Sequence, residues 1–123
     1  MAGTIVADTL THSTAGSIAT NYVVEGSAKQ WHYFNHATTT VNDSFNVSSI
    51  TDVTTGQYDP QATNSMNSTN YSIFAHAQAE ASNSSFAYYG YNRATGSHRR
   101  FNYDNGAGRD EQYTDGAILG DLA

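Results

Sequence analysis

The chain has no cysteine, one proline and only five lysines and arginines in 123 residues. The missing cysteine excludes disulfides, thiolate metal sites and a cysteine nucleophile. Against the five basic residues stand eleven acidic ones, for a net charge of −6. Nucleic acid is repelled by that balance, because neutralising phosphates needs a basic face. Large aliphatics are scarce as well. Leu, Ile, Val and Phe together number nineteen. No run of about 18 apolar residues occurs, so no membrane-spanning helix is expected. The opening MAGTIVADTLTHS lacks a charged n-region and an unbroken apolar core, and is not expected to act as a secretory signal. Catalytic signatures are missing too. There is no Gly-x-Ser-x-Gly elbow, no HExxH and no phosphate-cradling loop, so no enzyme activity and no cofactor are expected.

What is present favours β-structure. The chain has nine Tyr, five Phe and one Trp, many threonines, and only 13% charged residues. Low charge with many aromatics is a poor composition for disorder. Aromatic and β-branched side chains fill pleated surfaces well. So few aliphatics make a thin core for a monomer, and burial between subunits would supplement it.

Along the chain, Thr4–Ala7 and Asn21–Val24 read as short strands around a weakly patterned stretch. Residues 1–27 are therefore either a frayed terminus or an extended attachment arm, or the first strands, and residues 28–123 form one β-sandwich domain. KQWHYFN (29–35) alternates, with Trp31 and Tyr33 on one face and His32 and Phe34 on the other. Strands over 39–45 and 46–52 follow, with a bend or bulge near Asn42-Asp43. Val53–Gly56 makes a turn in which Gly56 takes positive φ. Pro60 is expected to end the return strand or place it at an edge. NYSIFAHAQAE (70–80) alternates as a strand, with Phe74 out of pattern, although FAHAQAEA would also suit a helix. A loop at Asn83–Ser85, a strand over 85–92, a turn at 93–96 and a strand HRRFNY (98–103) come next. Asn105-Gly106 signals a hairpin, and 112–114 with 117–119 supply the final strand or strands. The expected fold is all-β: an antiparallel β-sandwich or jelly-roll-like domain, in a homotrimer.

Few residues are candidates for chemistry. His32 and His36, four apart on a strand, are too far apart to share an ion, and no metal site is expected from them. DNGAGRDE (104–111) is either a hairpin turn with solvated charges or an oxygen-rich calcium loop. His98-Arg99-Arg100 is either a charged edge strand, with arginines that can pair with the acidic loop after Tyr103, or an anion site. Aromatic faces suit the apolar faces of sugars, which makes Tyr88, Tyr89 and Tyr91, with Arg99 and Arg100, the candidate glycan or receptor surface.

Several segments carry a family resemblance. They are GTIVADTL (3–10), Trp31 with Phe34-Asn35, DSFNVSSITD (43–52), Thr55-Gly56 before Tyr58, NSMNSTNYS (64–72) and the ending GDLA (120–123). Together they resemble small virion structural and tail-fibre-like proteins of T7-like marine, cyanophage-type tailed bacteriophages. Asp59-Pro60 departs from the family pattern, and residues 76–115 lie outside the resemblance. The resemblance implies a virion location, and a short trimeric fibre or a capsid or tail surface appendage with a decoration or host-adhesion role. Its implied partners are further copies of the chain, other virion proteins through the N-terminal arm, and a host surface glycan or receptor. It supplies no catalytic residue. The rival expectation is a stand-alone carbohydrate-binding β-sandwich module.

Overall fold

The structure is a computed structural model that describes residue 3 and residues 5–78, 87–104 and 106–122, with only the backbone described at 87–90 and 104. Thr4, the stretch 79–86 with its expected loop at Asn83–Ser85, and Asn105 lie outside the described residues.

An antiparallel hairpin comes first, β1 (Thr9–His12) with β2 (Gly16–Ala19), and a helix α1 (Thr20–Gly26) follows directly. The expected strand over Asn21–Val24 is thus helical. Tyr and Val prefer strands, but among the described residues no strand pairs with this segment. The turn into the helix is held instead from the hairpin side. Thr20 N–H bonds Asp8 O at 2.9 Å, and Thr20 Oγ1 donates to Ala7 O at 2.6 Å. The helix has no side-chain N-cap bond and no buried residue. Residues 5–7 form no regular element.

The remaining strands are β3 (Ala28–Asn35), β4 (Thr40–Phe45), β5 (Val47–Thr54), β6 (Gln57–Ala62), β7 (Ser72–Gln78), β8 (Ala87–Tyr91), β9 (Arg99–Asp104), β10 (Ala107–Gly108) and β11 (Tyr113–Leu119). They build two antiparallel sheets. One has the order β4-β3-β11-β7. The other has the order β10-β9-β6-β5, with β8 also on β9. The sheets pack face to face as a sandwich. Tyr58 of β6 sets its ring against His32 and Phe34 of β3 and against His36 just after it, with centroids 5.6, 5.1 and 5.1 Å apart.

Local sequence explains much of this. Asn42 is the extra residue of a bulge opposite Tyr33 and Phe34, where register shifts from Asp43 to Val41. The chain then turns between sheets at Asn46, which takes φ 55°. Gly56 (φ 75°) closes the β5–β6 hairpin. A Cβ there would lie 2.6 Å from Asn102 O and 2.7 Å from Arg109 N, so the position accepts only glycine.

The expected edge at 98–103 is corrected, and the alternatives left open at Pro60 and over 112–119 are decided. The strand at 57 does not end at Asp59-Pro60, because β6 runs on to Ala62. The proline is accommodated because β6 pairs with β9 only at Gln57 and Tyr58, then by one bridge from Gln61 to Ser97. The segment 98–103 is not an edge, since β9 has β8, β6 and β10 as partners. Residues 113–119 form one unbroken strand.

The interior has two parts. Met66, Tyr71 and Ile118 form an apolar cluster, with Ile73 against it. Tyr71 OH donates to Ala94 O (2.9 Å) and Ser97 O (3.2 Å) and so ties the 93–97 turn to the core. Beside that cluster the buried positions are largely polar: Gln30, His32, His36, His98, Arg100, Asn102 and Thr114, with Phe34 and Tyr58 among them.

Candidate functional site

Alternation decides what each strand of the β4-β3-β11-β7 sheet shows to the outside. His32 and Phe34 point inward, so Trp31 and Tyr33 point outward. Register then aligns neighbours across all four strands. Phe45, Trp31, Ala117 and Phe74 form one row, and Asp43, Tyr33, Asp115 and His76 form the next. The first row is apolar and well exposed, with Trp31 at 37%, Phe45 at 52% and Phe74 at 56%. The second row is polar. His76 Nδ1 stands 3.7 Å from Asp115 Oδ2, and Tyr33 stacks on Tyr113 at 6.4 Å with planes 6° apart. Between Trp31 and Phe74 the floor is small, made by Ala75, Gly116 and Ala117. The result is an open groove of about 450 Å³. Small-molecule sites fall in the range of roughly 300–1,000 Å³.

The floor is backed by an unusual interior. Gly116 faces inward, and a Cβ there would lie 2.6 Å from both Arg100 Nη2 and His32 Cε1. Its missing side chain makes room for the Arg100 guanidinium, whose Nη1 donates to Phe74 O at 2.9 Å. Burial, then the Arg100 charge, hold His32 down to about 3, and with further help from His32 and Arg93 hold His98 down to about 2. Both rings are therefore neutral at physiological pH. His32 Nε2 lies 3.1 Å from Tyr58 OH, and burial pushes that phenol up.

The residues singled out from sequence lie on the other sheet. Arg100 is corrected outright: it is fully buried and cannot touch a surface ligand. Strand alternation turns it inward while its neighbour Arg99 turns out. Arg99 is engaged with Asp59 through Nε, and through Nη2 to Oδ2 at 2.8 Å. The acidic partner is thus on β6, not in the loop after Tyr103. Tyr91 OH donates to Gln57 Oε1 at 2.7 Å, and Arg99 lies over its ring at 5.9 Å. Tyr88 and Tyr89 pair through their backbones with Asn102 and Phe101, and their side chains lie outside the described residues. Sequence reasoning missed the groove. Its one signal was Phe74, an aromatic on the otherwise polar face of β7.

His32 and His36 are both buried. His36 Nε2 lies 3.3 Å from Asp52 Oδ1 and 3.3 Å from Asp110 Oδ1. Asp110 also accepts the Gly56 N–H at 2.6 Å. The acidic 104–111 stretch thus buries Glu111, at 4% exposure, and sets the part-exposed Asp110 against His36 and Gly56. Among the described residues no three His, Asp or Glu side chains are grouped to hold a metal ion.

No protein-family model, no curated protein and no solved structure matches this chain.

Proposed function

We propose that the chain is a structural protein of a phage virion, a short trimeric fibre or a surface appendage of capsid or tail. The sequence resemblance suggests the setting. The observation that carries the reading is the N-terminal segment. Ile5, Val6, Leu10, Ile18, Tyr22, Val23 and Val24 are all 41% or more exposed. Of these, Ile5, Val6, Leu10, Val23 and Val24 line an open cleft between the first residues, the hairpin and the helix. A seven-residue helix and a two-stranded hairpin are each marginal alone in water. Apolar side chains on such elements call for cover from another chain, and copies of the same arm supply it in a closed trimer. The arm then joins the appendage to the particle, and the sandwich faces outward.

Light scattering on the full chain at micromolar concentration tests this. A mass of three chains, reduced to one on deleting residues 1–24, is the expected result. A monomeric full chain, or unchanged incorporation of the deleted form into particles, would overturn the arm as the assembly element. A stand-alone glycan-binding module is the second reading, favoured by the aromatic groove on the β4-β3-β11-β7 sheet.

A further inference from the structure

We infer that the groove between Trp31 and Phe74 is a saccharide site, and that its ligand is a neutral, pyranose-containing glycan. The site gives the proposed appendage a ligand, but it stands on its own geometry and is tested apart from oligomeric state.

The two rows supply the recognition chemistry. A pyranose has apolar C–H faces and a rim of hydroxyls. Trp31 and Phe74 rise on either side of Ala117, two strand spacings apart, which is roughly 9.6 Å at the backbone. The small floor leaves this slot open between them. A ring contacting an aromatic carbon on each side at about 4 Å fits such a gap. The neighbouring row then meets the hydroxyl rim. Asp115 is 54% exposed and His76 66%, and their 3.7 Å separation is too long for a hydrogen bond between them. The carboxylate is free to accept from two hydroxyls in a bidentate pattern, and the imidazole to donate or accept beside it. Tyr33 adds a phenolic hydroxyl on the same row.

Charge selects among sugars. The site carries a carboxylate on a chain of net charge −6. Among the described residues no Lys or Arg lines the open side of the groove: Arg100 lies beneath the floor, bonded to Phe74 O, and Arg99 is engaged with Asp59. An anionic glycan would be repelled, and a neutral one is not. The same carboxylate argues against a second copy of the chain on this face. A subunit contact centred on the groove would bury Asp115 and His76, and charged groups are depleted from interface centres for their desolvation cost.

Trp31 is the single tryptophan, so its emission reports on the groove directly. The test is titration of the full chain with maltohexaose, laminarihexaose, cellohexaose and a neutral galactan, with oligogalacturonate as the acidic control. At least one neutral glycan should change Trp31 emission saturably at up to millimolar concentration, and the acidic one should not. Calorimetry on Phe74→Ala and Asp115→Ala should show affinity lowered about tenfold or more, the usual scale for losing a stacking ring or a bidentate acceptor. Tyr91→Phe, on the other sheet, should bind normally. All three substitutions are outside the core, and circular dichroism confirms the fold. No response to any neutral glycan would overturn the inference, as would binding that survives both groove substitutions. Loss of self-association in Phe74→Ala would overturn it by placing a second copy on the face. A monomeric chain that binds would instead sink the trimer and leave the site standing.

Discussion

At the scale of single residues, the interior is defined by a cation. Arg100 lies fully inside a small sandwich, among rings rather than aliphatics. Its presence helps to keep His32 and His98 neutral, well below the ordinary 6.5. Stability inherits a pH dependence from this. Above pH 6.5 both histidines are neutral whether folded or unfolded. Below it the unfolded chain takes up protons that the folded chain refuses, down to the folded values of about 3 and about 2. Stability is therefore full above pH 6.5 and falls with falling pH, by at most ~2.7 kcal/mol per pH unit for two protons. The urea midpoint should drop between pH 7 and pH 4.5, and His32→Gln should flatten that drop by about one proton. A midpoint that does not move over this window would mean that these rings are solvated.

At the scale of elements, the β5–β6 hairpin tip is latched to the loop before β11. Asp110 accepts the Gly56 N–H, Asn102 N–H bonds Gly56 O at 2.7 Å, and His36 N–H bonds Glu111 O at 2.9 Å. Removing the carboxylate leaves a part-buried N–H without its acceptor. Asp110→Ala should cost about 1–3 kcal/mol in chemical denaturation, and Asp110→Asn, which keeps an oxygen, less. Because Asp110 is committed in this way, calcium and chelator should leave both melting curves in place. The latch was illegible in the sequence, since it joins residues 54 positions apart. The strands were legible where polar and apolar residues alternated, as in β3 and, apart from Phe74, in β7, and where glycine marked a turn, as at Gly56. Alternation separates two faces but does not say which is inside. In β9 the structure turns Arg100 inward, and it buries His32 on β3 and His36 just after it. The helix at 20–26 was illegible for another reason. It has no capping residue and two adjacent valines, and the local pattern favours a strand.

At the scale of the whole molecule, the arm is tied to the sandwich by Lys29, whose Nζ donates to Val24 O, and it adds no buried side chain of its own among the described residues. Among the described residues, the first buried side chain belongs to Lys29. Deleting residues 1–26 should therefore leave the sandwich folded. It should also remove any dependence of melting temperature on protein concentration, which the full chain should show if its arms associate. Scanning calorimetry at two concentrations tenfold apart reads both outcomes. If the deleted form keeps the concentration dependence, assembly runs through the sandwich instead.

The order of strands in the β4-β3-β11-β7 sheet bears on how the protein is made. Of these four, β11 is synthesised last, yet it lies in the middle and pairs with both β3 and β7. Trp31 meets Ala117 only after more than eighty intervening positions have left the ribosome. Until then the β3–β4 hairpin and β7 have no bridge between them, and the rows that shape the groove do not exist. Such long-range pairing slows folding. It also makes the arrival of Tyr113–Leu119 a checkpoint: a truncated translation product can carry the arm, but never the finished outer face.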